Sequence, residues 1–247
     1  MKTIIINGGT KGVGKEIVLA CINIGYNVIF GGRDEVAAEK VLNSVNNNNC
    51  HFIKIDNANI NSLKQMFTFA IDKYKKVDGY VHYAGITPVS GIQDCNEETY
   101  DSVFDINLKS AFFCTQFAIN FMKYNGGGSL IYFGSAHMDY GQIDRAAYAI
   151  TKGALNILSN HIAHHYAKYQ IRSNYIVMGW TDTDGEVELR KSQGISQDEL
   201  QKKAASIIPM GRMLKVNDPI PTVLHFLSDN SSMITGSVVR ITGGEFI

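Results

Sequence analysis

Short apolar runs alternate along this chain with longer segments whose apolar residues recur at helical spacing. The run TIIIN stops at a glycine cluster, and the following segment, VGKEIVLACINIGY, places its apolar residues on one face of a helix. Six further strand-like runs continue the alternation: NVIFGG, HFIKID, VDGYVHYAG, GSLIYFGS, IRSNYIVMG and SVVRITGG. Strands that are apolar almost throughout must be covered on both faces. The pattern therefore predicts an α/β fold with a doubly wound parallel sheet of about seven strands and helices on both faces.

Two segments interrupt this alternation, and each follows the carboxyl end of a predicted strand. Residues 86–98 and 180–210 are polar, glycine-dotted or charged. Open α/β sheets bind ligands at that edge, so both segments are candidate substrate loops. We interpret 180–210 as a lid that closes over the substrate, with a static pair of surface helices as the alternative. The 247 residues are expected to form one domain, 1–247.

The amino-acid composition limits which classes of ligand and partner this protein is expected to bind. Acidic and basic residues balance at 23 each, which indicates neither a nucleic acid nor an anionic membrane as partner and favours a small-molecule substrate. The four cysteines lie far apart, without the spacing of a zinc site, so we expect buried thiols and no metal. The apolar run near the N-terminus is too short for a signal peptide or a membrane span, and a cytoplasmic location is expected.

A glycine-rich turn, NGGTKGVG, joins the first predicted strand to the first predicted helix. Glycines at these positions let the backbone turn tightly and approach a pyrophosphate, whose charge the first amides of the helix can bind. Such turns also arise for steric reasons alone, but the position at the first strand–helix junction favours a dinucleotide site. The residues expected to contact the dinucleotide here are Gly8, Thr10, Lys11, Gly12, Val13 and Gly14.

The end of the second predicted strand distinguishes between the two nicotinamide dinucleotides. NAD-binding proteins usually have an acidic residue there that binds the adenosine ribose, but Gly31 and Gly32 occupy the position and Arg33 follows. Arg33 and Lys11 suit a 2′-phosphate, since guanidinium binds phosphate bidentately and lysine adds a point charge. NADP(H) is therefore the favoured cofactor. In the alternative, Arg33 is a solvated loop residue, Asp34 binds the ribose, and the cofactor is NAD(H).

The stretch YAITK places a tyrosine and a lysine four residues apart at the start of a predicted helix. Tyrosine is a poor acid at neutral pH because its ordinary pKa is about 10, and a lysine on the same helix face can stabilise its phenolate. About one such spacing is expected by chance, so the context decides. Ser135 ends the preceding strand, and Asn107 on the preceding long helix can lie beside it. The candidate catalytic residues are Tyr148, Lys152, Ser135 and Asn107.

Six ordered motifs resemble those of the short-chain dehydrogenase/reductase family, and they extend nearly from end to end. They are GGTKGVG, VDGYVHYAG, DINLKSAFF, Ser135 with YAITK, IRSNYIVMGWTDT and ITGSVVRITGG. The resemblance implies a Rossmann fold and an oxidoreductase that interconverts a ketone and an alcohol with NADP(H) or NAD(H). Five positions depart from the family's usual residues without removing a catalytic group: Asn7, His82, Tyr83, Gly134 and Met178.

The same resemblance implies a role for each candidate. Tyr148 would exchange a proton with the substrate oxygen, Lys152 would lower the tyrosine pKa and bind the nicotinamide ribose, and Ser135 would hydrogen-bond the substrate oxygen. Asn107 would position a water that links Lys152 to solvent. Long apolar helices at 99–124 and 147–167 would pair between subunits of a homodimer or homotetramer. Further cofactor contacts would come from Asp56, Asn57, Ala84, Gly85, Gly179, Thr181 and Thr183.

Candidate substrate contacts lie between Ser135 and Tyr148 and at the start of the 180–210 segment. They are His137, Asp139, Tyr140, Gln142 and Trp180. For the first four, a purely structural role in the loop is an equal alternative. Three histidines in SNHIAHHYAKY share a helix face, but no carboxylate has a matching spacing, so we interpret them as surface or interface residues.

The sequence thus predicts an NADPH-dependent reductase of a carbonyl group, or the dehydrogenase of the corresponding alcohol. An NAD-dependent polyol, sugar or steroid alcohol dehydrogenase is the alternative within the same fold. A catalytically idle dinucleotide-binding protein is the alternative outside the enzymes. The substrate is decided by the loops, which carry no recognisable motif.

Overall fold

Seven parallel strands form the central sheet in the computed structural model of the protein, which describes residues 1–183, 185, 186, 194 and 196–245 without the side chain of Tyr140. These strands are β1 (Thr3–Asn7), β2 (Asn27–Gly32), β3 (Cys50–Lys54), β4 (Gly79–His82), β5 (Gly128–Ser135), β6 (Ile171–Met178) and β9 (Val238–Ile241). They lie side by side in the order β3-β2-β1-β4-β5-β6-β9. Two short strands, β7 (Thr181–Asp182) and β8 (Leu214–Lys215), form a separate parallel pair. The prediction of a doubly wound parallel sheet of about seven strands is confirmed.

Helices connect these strands and cover both faces of the sheet. They are α1 (Gly12–Asn23), α2 (Glu35–Val45), α3 (Ile60–Tyr74), α4 (Glu97–Phe104), α5 (Ser110–Met122), α6 (His137–Tyr140), α7 (Ala146–His165), α8 (Gln197–Ile207) and α9 (Ile220–Leu227). One apolar core lies between the sheet and α3, α5 and α7, and another between the sheet and α1, α2 and α9. Because both faces are covered, β1 and β2 are buried along their whole length. Within the described residues, no helix is long and apolar enough to span a membrane.

The strand order reverses between β1 and β4, at the centre of the sheet. Ile5 of β1 lies opposite Ile29 of β2 on one side and opposite Tyr80 of β4 on the other. The chain therefore leaves the carboxyl ends of β1 and β4 in opposite directions, and a crevice opens between them. The glycine turn that follows β1 borders this crevice.

The predicted long helix at 99–124 is not continuous. A π-helical turn, Asp105–Lys109, separates α4 from α5, and Asn107 lies fully buried within it. Single π-helical turns inside α-helices are often found at functional sites. Apolar spacing did not reveal the turn, because a π-helical turn leaves the segments on both sides helical.

The 180–210 segment is described in part. It contains β7, a helical pair at Gly185 and Glu186, and α8, which begins with a capping box formed by Ser196 and Glu199. Residues 184, 187–193 and 195 lie outside the described residues. The lid and the single-domain organisation accordingly remain predictions.

Candidate active site

A cavity of about 800 Å³ opens at the carboxyl edge of the sheet. Three of the four candidate catalytic residues, Ser135, Tyr148 and Lys152, belong to its lining. Ser135 is the last residue of β5, and the other two lie in the first two turns of α7. They meet because α7 starts beside the edge at which β5 ends, and parallel strands present their ligand-binding loops at that edge.

Tyr148 is partly exposed on the cavity wall. Burial of its ring raises the pKa of Tyr148 above its ordinary value, while the hydrogen bond with Ser135 and the charge of Arg145 act in the opposite direction without cancelling it. Ser135 Oγ accepts a 3.3 Å hydrogen bond from the His137 amide, which orients the hydroxyl. In the protein alone Tyr148 is therefore protonated at neutral pH, as a proton donor must be.

The ammonium group of Lys152 is buried behind Tyr148. Only 5% of the residue is exposed, and Nζ donates a 2.9 Å hydrogen bond to the Phe133 carbonyl. Nζ also lies 5.6 Å from the centre of the Tyr148 ring. Burial lowers the pKa of Lys152 to about 8, because the charge has been removed from water. Lys152 therefore keeps most of its charge at neutral pH.

Asn107 braces the π-helical turn against the segment that follows β4. Its Oδ1 accepts a 2.8 Å hydrogen bond from the Ile86 amide, and Nδ2 donates to the Ile86 carbonyl at 2.9 Å and to Thr151 Oγ1 at 3.2 Å. A Cβ on Gly85 would lie 3.3 Å from Asn107 Oδ1 and 3.6 Å from Lys152 Nζ. Gly85 thus separates Asn107 from Lys152, and Asn107 lies behind the described cavity lining rather than in it.

The glycine turn forms a cradle that side chains would fill. Gly8 has a φ of +92°, and a Cβ there would lie 2.7 Å from the Ala84 nitrogen. A Cβ on Gly14 would overlap the Gly8 carbonyl, so the turn requires glycine at both positions. Gly12 faces Thr183, whose Cγ2 would be 3.6 Å from a Cβ on Gly12. Since the start of α1 has no side-chain cap, its amides suit a pyrophosphate, and these features fit a dinucleotide.

Thr10 and Val13, two other residues of this turn, differ in exposure. Thr10 covers the end of β2, where a Cβ on Gly32 would lie 2.7 Å from Thr10 Cγ2. Val13 is fully buried in the core beneath α1. Thr10 can offer a side chain to a ligand, whereas Val13 can offer only its backbone.

Charges of both signs lie at the end of β2. Lys11 Nζ is 2.7 Å from the Asp34 carboxylate, which also accepts a 2.9 Å hydrogen bond from the Ala37 amide at the start of α2. These two contacts hold the pKa of Asp34 below its ordinary value. Arg33 is exposed, and no side chain in the described part of the protein pairs with it. Arg33 is thus available to a ligand, while Asp34 already has partners.

The residues expected near the adenine lie beside the ends of β1 and β3. Asn57 is buried, and its Oδ1 accepts a 2.7 Å hydrogen bond from Asn7 at the end of β1. Asp56 is exposed, and its carboxylate accepts a 3.0 Å hydrogen bond from the Ala58 amide. Asn57 therefore joins β3 to β1, whereas Asp56 presents a carboxylate at the rim of the crevice.

The segment that follows β6 closes another side of the cavity. The Trp180 amide donates a 3.1 Å hydrogen bond to Glu245, and the Trp180 indole donates a 2.7 Å hydrogen bond to Glu186. Burial raises the pKa of Glu245 above its ordinary value. Four residues of this segment that were predicted to contact a ligand line the cavity: Gly179, Trp180, Thr181 and Thr183.

The candidate substrate contacts do not all lie in the cavity. His137, Gln142 and Trp180 line it. Asp139 forms two hydrogen bonds with Arg240 of β9, at 2.5 and 3.0 Å, which hold its pKa below the ordinary value. This ion pair ties α6 to the edge strand, so the structural alternative describes Asp139 better. The side chain of Tyr140 lies outside the described residues.

Several residues of the cavity wall were not predicted as site residues from the sequence, among them Arg145 and Tyr83. Arg145 precedes Tyr148 by three residues, a spacing that places both on one side of a helix start, and this spacing was the available signal. Tyr83 packs edge-on against Phe133 with ring centres 5.1 Å apart. Its signal was weaker, because an aromatic residue at a strand end more often belongs to the core.

Two histidines of α7 pack against each other at the helix surface. His161 and His165 have ring centres 4.5 Å apart. Across the described ranges of the chain, no group of three or more His, Cys, Asp and Glu could hold a metal ion. All four cysteines are free thiols.

A doubly wound sheet with a glycine turn and a cavity at its switch point defines the dinucleotide-binding class of α/β proteins. The family model described as enoyl-(acyl carrier protein) reductase matches residues 8–245. The chain therefore belongs to the short-chain dehydrogenase/reductase family, whose members are oxidoreductases that bind NAD(P)(H) and act on CH–OH or C=O groups.

Relatives within this family act on different substrates. The 3-oxoacyl-[acyl-carrier-protein] reductase FabG of Thermotoga maritima is 28% identical over 251 residues, which cover 100% of this chain and 98% of the relative. The L-rhamnose 1-dehydrogenase (NAD(P)(+)) of Azotobacter vinelandii is 28% identical over 255 residues, which cover 100% and 97%. The 3-ketoacyl-(acyl-carrier-protein) reductase from Brucella melitensis, whose crystal structure contains NADH, has the same fold. Its TM-score is 0.90 at 24% identity, with 100% of this chain and 98% of that chain covered.

Proposed function

We propose that this protein is an NADPH-dependent reductase of a ketone or another carbonyl group, or the dehydrogenase of the corresponding alcohol. The observation that carries the proposal is that Ser135, Tyr148 and Lys152 line one cavity beside the glycine turn. Carbonyl reduction requires from the protein a proton donor, a hydrogen-bond partner for the oxygen and an oriented cofactor.

The crevice suits a nicotinamide dinucleotide, which supplies or accepts the hydride when it is bound. Its pyrophosphate is assigned to the glycine turn and the uncapped start of α1. The nicotinamide carboxamide is assigned to Gly179 and Thr183, which line the cavity close to Gly12. The remaining cofactor contacts in this proposal are Thr10, Lys11, Arg33, Asp56, Asn57, Ala84, Gly85 and Thr181.

Tyr148 is the proton donor in this proposal. As hydride adds to the carbonyl carbon, the C=O π bond breaks and the oxygen takes the phenolic proton of Tyr148, so that an alcohol and a phenolate result. Ser135 donates a hydrogen bond to the same oxygen, and Lys152 faces the ring as a buried cation that stabilises the phenolate. In the reverse direction the phenolate removes the proton of the alcohol.

Asn107 acts through the positions of its neighbours. It holds Ile86 at the cavity rim and lies across Gly85 from Lys152. The proton that Tyr148 gives up is replaced from solvent through a water beside Lys152 and the Asn107 segment. Asn107 is therefore a positioning residue in this reaction.

The charged residues at the end of β2 support NADPH over NADH. Arg33 is exposed and lacks a protein partner among the described residues, so its guanidinium can bind a 2′-phosphate. Asp34 caps α2 and pairs with Lys11, and a ribose that bound Asp34 would compete with these contacts. The Lys11–Asp34 pair is exposed and therefore weak, which keeps an NAD(H)-dependent alcohol dehydrogenase as the second candidate. A catalytically idle dinucleotide-binding protein is the third.

Replacing Tyr148 by phenylalanine tests the proposal. We expect Tyr148→Phe to lower kcat by at least about 100-fold, because a general acid contributes at least that much, and to leave NADPH affinity nearly unchanged. Stopped-flow or steady-state oxidation of NADPH with a panel of ketones measures the rate, and quenching of protein fluorescence measures the affinity. Tyr83→Phe is the matched control, since it removes a hydroxyl from the same wall. A Tyr148→Phe protein that keeps most of its rate would contradict the assignment.

Arg33 tests the cofactor preference separately. Arg33→Ala should weaken NADPH binding roughly 10- to 100-fold, the range for a lost charge-assisted contact, and should leave NADH binding nearly unchanged. Fluorescence titration of both dinucleotides provides the measurement, with the exposed Lys64→Ala variant as the charge control. Equal losses for the two dinucleotides would favour the NAD(H)-dependent alternative.

We further propose that the protein assembles as a homodimer or homotetramer. Large apolar side chains remain exposed on α4, α5 and α7, and 67% of Ile157 and 52% of Phe112 are accessible. A groove lined by residues of α4 and α7 lies beside them. Pairing of these helices between subunits would bury this surface.

A further inference from the structure

Arg145 is a nearly buried cation on the wall of the cavity. The residue is 9% exposed and is the N-cap residue of α7, three positions before Tyr148. Its Nη1 donates a 2.8 Å hydrogen bond to the Asp144 carbonyl and lies 3.0 Å from the Asp144 carboxylate. In the ranges that the structure describes, Nε and Nη2 have no protein partner. Neither atom is among the buried polar atoms without a partner, so both donors are open to solvent or to a ligand in the cavity.

The backbone fixes this guanidinium in position. The Ser90 amide donates a 2.8 Å hydrogen bond to the Asp144 carbonyl, and the Ser90 carbonyl accepts a 3.2 Å hydrogen bond from Ala146. The Arg145 carbonyl begins the hydrogen-bond ladder of α7 by accepting from Ala149 at 2.9 Å. Both chain neighbours of Arg145 are therefore held, and a ligand would meet a preorganised group.

The charge of Arg145 reaches the groups that face the substrate. Burial raises the pKa of Tyr148, and the charge of Arg145 acts against this rise; burial lowers the pKa of His137, and the charge of Arg145 adds to this fall. The start of α7 adds the positive end of a helix dipole, because α7 has no side-chain cap. The two carboxylates of the described lining both accept hydrogen bonds from Trp180. Asp144 pairs with Nη1 and offsets part of the charge, so it is the Nε and Nη2 side of Arg145 that favours an anionic group.

We propose that Arg145 is an anion subsite of the substrate cavity and that the substrate is a small oxo acid or the matching hydroxy acid. Its carboxylate pairs with Arg145 while its carbonyl oxygen faces Tyr148. This inference rests on the proposed reductase function and names its substrate class. Arg145 and Tyr148 lie three positions apart at the start of α7 and line the same cavity, so one small substrate can reach both groups. Guanidinium suits the role because it binds carboxylate bidentately.

Matched pairs of acids and esters test the subsite. Pyruvate, acetoacetate and levulinate place a ketone at increasing distance from a carboxylate, and their methyl esters lack the charge. The wild type should reduce at least one acid with a kcat/KM roughly tenfold or more above that of its ester. Arg145→Met should lower kcat/KM for that acid roughly 10- to 100-fold, mainly through KM, with little change for the ester. Arg145→Lys, which keeps the charge without the planar fork, should lose less.

Asp144→Asn distinguishes anion binding from a structural ion pair. Without the Asp144 carboxylate, Arg145 should bind the acid as tightly as in the wild type or more tightly. If the ion pair is only structural, Asp144→Asn should instead repeat the loss seen for Arg145→Met, and that result would overturn the subsite. Lys168→Met, just beyond the end of α7, controls for the loss of one positive charge. Circular dichroism and thermal unfolding verify that each variant is folded.

Binding measured without turnover keeps the subsite apart from the reaction. Isothermal titration of the three acids and their esters into the Tyr148→Phe protein reports affinity alone. Acid binding that Arg145→Met removes would support the subsite. If the wild type reduced none of the ketones, the reductase function would be rejected, but this binding result would still support the subsite. Reduction of esters and acids at equal rates, unchanged in Arg145→Met, would overturn the subsite and keep the reductase. The subsite is also overturned if no acid binds more tightly than its ester.

Discussion

At the scale of single residues, Lys152 illustrates how burial and chemistry are linked. Its ammonium group has the Phe133 carbonyl as hydrogen-bond acceptor and the Tyr148 ring as neighbour. That environment stabilises a positive charge less well than water does, so the pKa of Lys152 falls to about 8. A charge held in place against the cost of desolvation is typical of functional sites.

We expect Lys152→Met to abolish turnover and to raise the free energy of unfolding at neutral pH. Methionine fills a similar volume without a charge. The cost that it removes is roughly 3 kcal/mol for a pKa lowered from 10.5 to about 8, and the hydrogen bond that it loses is worth about 1 kcal/mol. Urea unfolding of both proteins over a range of pH measures the difference.

The pH dependence of this difference has a definite sign. Below about pH 8 the lysine is charged in the native and the unfolded states, so the wild type bears the full desolvation cost. Between about 8 and 10.5 the unfolded state binds more protons than the native state, so the wild type gains stability relative to Lys152→Met as pH rises. A difference that does not change with pH would contradict the burial of a charged lysine.

At the scale of elements, the glycine turn and α7 both contain glycines, but for different reasons. Gly14 lies where a Cβ would overlap the Gly8 carbonyl and approach Tyr83 Cδ1 to 3.0 Å. Gly153 lies on α7, where a Cβ would have no atom within 4 Å. The first position is required by packing, and the second is only tolerated.

We expect opposite effects when each of these glycines is replaced by alanine. Gly14→Ala should lower the free energy of unfolding by about 1–3 kcal/mol, as overpacking does, and should abolish dinucleotide binding. Gly153→Ala should raise it by about 0.5–1 kcal/mol, because glycine is unfavourable inside a helix. Thermal unfolding and NADPH titration measure both effects. A Gly14→Ala protein that binds NADPH normally would show that the cradle is not the cofactor site.

The π-helical turn is the element that sequence periodicity missed. It brings the Asn107 amide inward, where its hydrogen bonds with Ile86 and Thr151 join three segments of the chain. These contacts compensate for the poorer helical geometry of the turn. Because two of the three segments are distant in sequence, local patterns could not indicate them.

At the scale of the whole molecule, the two cores leave one group of helices incompletely covered. The inner faces of α5 and α7 pack on the sheet, while Phe112 and Ile157 remain exposed on them. Exposed apolar surface of this kind is usually buried by a partner. Helix α7 carries the Tyr148–Lys152 pair and Thr151, which accepts a hydrogen bond from Asn107. Assembly would therefore also make the site more rigid.

We expect the wild type to have about twice or four times the 27.3 kDa mass of one chain in solution. Replacing Phe112 and Ile157 by lysine should shift the mass toward that of one chain, because two charges would have to be buried at the interface. Size-exclusion chromatography with light scattering gives the mass. Ile24→Lys, at an exposed apolar position after α1, is the control. A wild type of 27.3 kDa would refute the assembly.

The parallel sheet, its helices and the glycine turn could be predicted from local patterns alone. Runs such as TIIIN are apolar almost throughout because β1 is covered on both faces, and the consecutive residues of the run show this property directly. The meeting of Ser135, Tyr148 and Lys152 could be anticipated for a related reason, since a strand end and the next helix start share one edge of the sheet. The π-helical turn and the Asp139–Arg240 pair could not, because they depend on contacts between distant segments.

By itself the sequence determined the order of strands and helices, the glycines of the first turn and the residue types available for proton transfer, because these follow from local spacing and side-chain chemistry. Only the tertiary structure decided the environment of each group. Burial, which depends on every element packed around a side chain, holds the pKa of Tyr148 up and that of Lys152 down. The packing also places Arg145 on the cavity wall with Nε and Nη2 available to a ligand, since Asp144 contacts only Nη1 of the guanidinium.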